Sequence, residues 1–180
     1  MRLPRRDVVA FLDLVPELDD DLGDSRGYCG DGAVDAEGEA RVEEGFAYDE
    51  NGVRVTAFRV DHGPFKPALG YRVDYKGHSI VISGDTRPCD NLVEHAMGAD
   101  VLIHNAWVND SPDSKALQFV SSTEEAGEIF KRVKPRLAVI THYNASKWLR
   151  ARTRTIYKGK LVIARDLTKV YVGTSISMKR

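Results

Sequence analysis

Ile82-Ser83-Gly84-Asp85-Thr86-Arg87-Pro88 is the segment that decides the fold, because it places an aspartate directly after an apolar strand. Two other segments repeat this arrangement. His62 follows a predicted strand that ends at Val60, and His142 follows the apolar residues 137–140. Functional groups of open α/β sheets collect at the carboxyl ends of strands. Two imidazoles and one carboxylate at such an edge are suitable ligands for a borderline metal such as zinc.

Each of these three residues also has an ordinary structural interpretation. A histidine at a strand end is more often a hydrogen-bonding residue than a metal ligand. An aspartate after a glycine commonly forms a turn or caps a helix, because its carboxylate accepts hydrogen bonds from free N–H groups. The pattern alone therefore leaves both a metal site and a structural role open.

The sequence around these positions predicts alternating strands and helices. Ser122 and Glu125 form a capping box at a helix start, and apolar residues then recur at helical spacing. Alternating or apolar runs predict strands, and their order indicates an α/β layer with partly parallel pairing. The predicted strands are residues 53–60, 68–75, 79–83, 101–104 and 137–140, and a further helix is predicted over residues 90–97.

The 180 residues fit one domain of ordinary size, with an irregular beginning. Residues 1–46 are acidic and rich in glycine, which favours a solvated segment over a packed element. Residues 47–180 carry the periodic signals and form the predicted folded domain. Within it, residues 144–180 predict a basic helix followed by two short strands.

The composition excludes several classes of protein. The formal net charge of -1 gives no general attraction to polyanions. No run of about 18 apolar residues is present, so we expect no transmembrane helix and no membrane partner. Cys29 and Cys89 are too far apart for a disulfide framework, which favours a reducing, cytoplasmic location.

Several motifs together resemble the metallo-β-lactamase-fold hydrolases, in the ribonuclease Z and arylsulfatase-like branch. The motifs are Val60-Asp61-His62-Gly63, Pro67-Ala68-Leu69-Gly70-Tyr71-Arg72, the segment around Asp85, Asp100-Val101-Leu102-Ile103-His104 and Val139-Ile140-Thr141-His142-Tyr143. The resemblance covers roughly residues 47–172, and it implies that the irregular acidic residues 1–46 are the remnant of an insertion region. It implies the C-terminal half of an αββα sandwich, a mixed sheet covered by helices.

The resemblance also implies a site with two zinc ions. His62 would bind one metal, Asp85 would bridge both, and His142 would bind the other. The implied activity is hydrolysis of a phosphodiester or sulfate ester by a zinc-bound hydroxide. Two further residues, His104 and Asn105, are then expected near the substrate. The strand residues 53–58 and 70–75 lean toward the arylsulfatase-like members.

The sequence departs from the family pattern in two respects. The N-terminal metal motif His-x-His-x-Asp-His is absent, and tight zinc sites use about three or four protein ligands, so we expect weak or no zinc binding. Asn105 also replaces a glutamate, and Val120 or Ser121 replaces a histidine, in a pair that hands a proton to the leaving group in ribonuclease Z. The five histidines are His62, His78, His95, His104 and His142.

Two functions therefore compete. The chain is either a fragment of a zinc hydrolase, inactive until the first half is supplied, or a natural, non-catalytic module that binds or oligomerises. In both cases an apolar sheet face predicts a homodimer or pairing with an N-terminal half. A basic segment indicates either a solvated surface or contact with RNA. Its residues are Lys147, Arg150, Arg152, Arg154 and Lys158.

Overall fold

A computed structural model describes residues 44–109, 115–144 and 146–179. These residues form nine strands, three α-helices and a short 3-10 helix at Lys115–Gln118. The strands are β1 (Gly45–Glu50), β2 (Val53–Arg59), β3 (Leu69–Tyr75), β4 (His78–Ile82), β5 (Val101–Asn105), β6 (Leu137–Thr141), β7 (Leu161–Ile163), β8 (Lys169–Val172) and β9 (Ile176–Lys179). The helices are α1 (Asp90–Ala96), α2 (Thr123–Val133) and α3 (Leu149–Ile156).

The main sheet has seven strands in the order of the sequence, from β1 to β7. Strands β1 to β4 pair in antiparallel fashion, and β4 to β7 pair in parallel. Since β2 and β4 are both antiparallel to β3, they run in the same direction as β5 and β6. The carboxyl ends of these four strands therefore lie along one edge of the sheet.

Two tight hairpins build the antiparallel half. Asn51 and Gly52 join β1 to β2, and Lys76 and Gly77 join β3 to β4, all four with positive φ. Two-residue loops with positive φ at both positions match the right-handed twist of paired strands. These turns set the registers of the β1–β2 and β3–β4 pairs, and so help to fix which residues of the antiparallel strands face the helices.

The three helices cover one face of the sheet. Helix α2 begins with the predicted capping box, in which Ser122 and Glu125 each bond to the other's backbone N–H. It ends at Lys134, in the left-handed conformation. Its apolar stripe packs into the main core cluster with α1 and the sheet. Fully buried members of this cluster are Phe58, Val81, Leu92, Leu102, Ala126, Phe130, Ala138 and Ile140.

The opposite face of the sheet is also apolar but is only partly covered. The small β8–β9 hairpin packs against it through Val172, with Val170 and Ile176 at its border. A cavity of about 480 Å³ remains between the sheet and residues 164–170. Its apolar walls include Ile80, Ile82, Val101, Ile103 and Val139.

The arginines of the basic segment take part in the fold. Their guanidinium groups donate to backbone carbonyls of neighbouring segments, Arg150 to Leu161, Arg152 to Asn109 and Arg154 to Gly159. These contacts give the segment a structural role. Contact with RNA stays a prediction. None of the helices in the described part of the chain is long and apolar enough to cross a membrane.

The sequence predicted most of these elements, with ends shifted by one or two residues. The half-sandwich fold, a mixed sheet covered by helices, is confirmed. Strand β1 was not predicted, and three strands follow α3 where two were expected. Nearly all of the predicted irregular segment 1–46 lies outside the described residues, so the division of the chain at residue 47 stays a prediction.

The close contact between β2 and β3 gives a test of the packing. A Cβ atom added to Gly70 would lie 2.5 Å from the ring of the fully buried Phe58. We expect Gly70→Ala to lower the free energy of unfolding by about 1–3 kcal/mol in urea denaturation, as overpacked sites do. Gly173→Ala is the control, since its added Cβ would meet nothing closer than 3.7 Å. Equal losses in the two variants would contradict this packing.

Candidate metal centre

Asp85 and His142 meet at the carboxyl edge of the sheet. Asp85 follows β4, His142 follows β6, and the carboxylate Oδ2 lies 3.4 Å from the imidazole Nε2. Both side chains are partly exposed to solvent. The ring of Trp107 lies beside His142, with 6.4 Å between ring centroids. A carboxylate and an imidazole held together in the open are suitable ligands for a divalent metal.

His62 lies on the loop after β2, with its ring oriented by the backbone. Its Nδ1 lies 2.8 Å from the carbonyl oxygen of Phe119. A carbonyl only accepts hydrogen bonds, so Nδ1 carries the proton and Nε2 keeps a free lone pair. Metal-binding histidines commonly show this arrangement, in which the other ring nitrogen donates to a carbonyl or carboxylate. The rings of Phe65 and Phe119 pack around the imidazole.

Direct hydrogen bonds tie the His62 loop to the Asp85 loop. The N–H of Asp61 donates to Thr86 Oγ1 at 3.0 Å, and the N–H of Arg87 donates to the Asp61 carbonyl at 2.7 Å. The Arg87 guanidinium also bonds to the Asp61 carboxylate. The backbone N–H of Gly63 and the Arg87 guanidinium hold the pKa of Asp61 below its ordinary value. The two loops therefore behave as one bonded unit.

Backbone conformation at the edge is unusual on both sides of the pair. Gly84 has φ of +63°, and a Cβ there would lie 2.6 Å from the carbonyl oxygen of Leu69. Only glycine fits this position. His142 itself has φ of 43°, in the left-handed region that only a few per cent of residues other than glycine adopt. Such conformations persist where surrounding bonds hold them, and they cluster at functional sites.

His104, at the end of β5, is fully buried beneath the Asp85 loop. Its Nδ1 lies 2.7 Å from Ser83 Oγ, and its Nε2 lies 3.1 Å from Ser121 Oγ. Burial lowers the pKa of His104 to about 3. The ring is therefore neutral near pH 7, with one nitrogen donating and the other accepting.

Asn105 is also enclosed and bonds to the same loop. Its Oδ1 accepts a hydrogen bond from the N–H of Thr86 at 3.1 Å. Asn105 and His104 are both buried, and the expectation that they lie near the substrate stays a prediction. No local sequence pattern indicates this hydrogen bond, because Thr86 is 19 residues from Asn105 in the chain.

The three predicted ligands are only partly assembled. Asp85 and His142 are paired, but no group of three or more His, Cys, Asp or Glu residues in the described ranges is close enough to hold a metal ion. The loop of His62 is hydrogen-bonded to the loop of Asp85, but the His62 side chain does not join Asp85 and His142 in a three-residue cluster. The donor types fit zinc, whereas their number falls short of a tight site.

Acid stability tests the buried, neutral state of His104. Its pKa is about 3 in the folded chain and about 6.5 in the unfolded chain, so the unfolded chain binds the proton first as pH falls. The free energy of unfolding should therefore decrease from about pH 6.5 toward pH 3, by up to about 1.4 kcal/mol per pH unit. We expect His104→Gln to remove this slope between pH 6 and 4.5, measured by urea denaturation at several pH values.

Leu102→Val is the matched control, since it weakens packing in the same strand without removing a titratable group. It should lower stability by a similar amount at every pH in the window. The pKa values of Asp61, Asp100 and Glu44 are lowered from ordinary values of 3.8, 3.8 and 4.5, so these carboxyl groups add slope only toward the lower end of the window. A slope that survives in His104→Gln would show that another group controls the acid limb.

Comparison of the whole sequence with known proteins identifies a family model and several relatives. The sequence model described as "Beta-lactamase superfamily domain" matches residues 28–143, which include His62, Asp85 and His142. Ribonuclease Z from Mycobacterium sp. (strain KMS) is 34% identical over 152 residues, covering 77% of this chain and 53% of that protein. Ribonuclease Z from Mycobacterium tuberculosis (strain ATCC 25177 / H37Ra) is 33% identical over 142 residues, covering 71% and 52%. The chain thus spans about half the length of these relatives.

Solved structures agree on the fold. The metallo-beta-lactamase fold protein YhfI from Bacillus subtilis aligns with a TM-score of 0.57 and 20% identity over 68% of this chain and 50% of that one. The short form of human tRNase Z aligns with a TM-score of 0.55 and 25% identity, covering 72% and 47%. The family model, which matches more than half of the sequence, shows that this chain belongs to the metallo-β-lactamase superfamily.

Proposed function

We propose that this chain carries the C-terminal share of a zinc-dependent phosphodiesterase site, with His62, Asp85 and His142 as its ligands. The observation that carries the proposal is the pairing of Asp85 with His142 at the carboxyl edge. The free Nε2 of His62 on the adjoining loop supports it. Asp85 is the residue we place closest to the reaction, as the ligand shared between metals.

A bound zinc would supply Lewis-acid polarisation of the ester and a lowered pKa for attacking water. The protein's own contribution is orientation. The Phe119 carbonyl fixes the tautomer of His62, and the bonds between Asp61 and Arg87 hold its loop against that of Asp85. Asn105 is buried and cannot donate or take up a proton, so the leaving group must receive its proton from another source.

The names of the relatives support one class of substrate. Those named ribonuclease Z or tRNase Z support an RNA phosphodiester over a sulfate ester. The relatives and structures reported above do not support the arylsulfatase-like lean drawn from residues 53–58 and 70–75. A cytoplasmic location is in keeping with such a substrate and stays a prediction.

We further propose that turnover by this chain alone is slow or absent, because its described residues offer fewer ligands than a tight zinc site uses. The half-covered apolar face, with its cavity, is suited to pairing with a second copy or with an N-terminal half of the family fold. The second candidate function is a non-catalytic module that uses this face for binding. The small number of clustered ligands favours it.

Zinc titration of the purified chain tests the assignment. We expect saturable but weak binding by calorimetry. Asp85→Asn and His142→Ala should each weaken it by about tenfold or more, since each removes a ligand from a site with few. His78→Ala is the control, because His78 begins β4 and so lies at the opposite edge of the sheet.

Equal zinc affinity in the parent, Asp85→Asn and His142→Ala would contradict the ligand assignment. Absence of saturable binding by the parent chain would instead favour the non-catalytic module. Hydrolysis of bis(p-nitrophenyl) phosphate, measured with zinc on the same proteins, adds a direct readout. Any activity should be lost in Asp85→Asn and kept in His78→Ala.

A further inference from the structure

We infer that Asn105 and Ser121 are positioning residues for Asp85, acting by holding both backbone groups of the next residue, Thr86. The inference rests on the proposed function only for the role given to Asp85. The clamp itself, meaning Asn105, Ser121 and the bridging His104, follows from hydrogen bonds among buried groups.

The first half of the clamp holds Thr86 from the end of β5 and from the segment directly before α2. Asn105 Oδ1 accepts from the Thr86 N–H at 3.1 Å. Ser121 bonds to the Thr86 carbonyl twice, through its Oγ at 3.0 Å and its N–H at 2.9 Å. All three residues are buried, so water does not compete for these bonds. The peptide groups on both sides of Thr86 are therefore fixed.

The second half holds the residue before Asp85. Ser83 Oγ lies 2.6 Å from the Gly84 carbonyl, positioned to donate to it. His104 then bridges the two serines, at 2.7 Å to Ser83 and 3.1 Å to Ser121. Neutral His104 has one N–H, so one serine hydroxyl accepts from the ring and the other donates to it. Only the serine that accepts from the ring can also donate its hydroxyl to the nearby carbonyl, whereas the Ser121 N–H bonds to the Thr86 carbonyl in either case. Asp85 projects from a short segment held at both ends.

The clamp also reaches the loop of His62. Thr86 Oγ1 accepts from the N–H of Asp61 at 3.0 Å, so Thr86 connects the Asn105 and Ser121 contacts to the residue before His62. A shift of Thr86 would move the Asp85 loop and the His62 loop together. The geometry of the predicted ligand set therefore depends on buried residues outside that set.

The chemistry of residue 105 suits a structural role. The asparagine side chain does not act as an acid or base at ordinary pH. Its carbonyl oxygen already accepts a hydrogen bond from the Thr86 N–H. Its amide nitrogen is buried with no hydrogen-bond partner, an arrangement that costs stability. Within the described structure, the bond from the Thr86 N–H explains why a polar side chain occupies position 105.

Amide exchange and histidine shifts, measured by NMR on the isotope-labelled full chain, test the clamp. In Asn105→Ala and Ser121→Ala we expect the amides of Thr86 and Asp61 to exchange about tenfold faster relative to those of β5 and α2. The imidazole nitrogen shifts of His142 should change as Asp85 moves. Ser121→Thr, which keeps the hydroxyl, should restore both readouts.

Ser122→Ala is the matched control. It removes the N-cap of α2 and so costs stability, but Ser122 has no bond to Thr86. It should speed exchange at Glu125 and leave Thr86, Asp61 and the His142 shifts unchanged. Ser121→Ala deletes a single oxygen and is the milder variant if Asn105→Ala does not fold.

The clamp is overturned if Thr86 and Asp61 exchange no faster than the rest of the sheet in Ser121→Ala, or if Ser122→Ala produces the same local change. A zinc titration of the same proteins separates this result from the proposed function. Absence of zinc binding by the parent chain would refute the proposed function, whereas exchange and imidazole shifts would still decide whether the clamp positions Asp85.

Discussion

A buried backbone group must have a hydrogen-bond partner, and at Thr86 this requirement ties the candidate site together. Its N–H bonds to Asn105, its carbonyl to Ser121 and its hydroxyl to the N–H of Asp61. These partners come from three segments that the sheet brings to one edge. Asp85, the next residue, can take only a narrow range of positions as a result.

The sheet supplies the edge at which these bonds form. Because β2, β4, β5 and β6 run in the same direction, the segments that follow them emerge side by side. One face of the sheet is closed by three helices over a continuous apolar core. The other face is closed only by a two-stranded hairpin and keeps a large apolar cavity. The unequal covering explains how the chain folds around one core and still presents a surface suited to a second layer.

Local sequence patterns predicted much of this fold because their information is local. The capping box at Ser122, the alternation in β2 and the apolar strands depend on residues a few positions apart, and the strand-end rule placed Asp85 and His142 at one edge. The hydrogen bonds of His104 and Thr86 join residues 17 to 35 positions apart and leave no periodic trace. Strand β1 was missed because Gly45 lies within a segment whose composition indicated a solvated loop.

The central claim is that a metal binds at the edge of the sheet that carries Asp85. Paramagnetic cobalt(II), which occupies zinc sites, can be titrated into the labelled chain while the histidine ring signals are followed by NMR. If cobalt(II) binds there, the ring signals of His62 and His142 should shift strongly. The signals of His78, which lies at the opposite edge, should shift little. Shifts centred on His78, or equal small shifts at all three histidines, would contradict this claim.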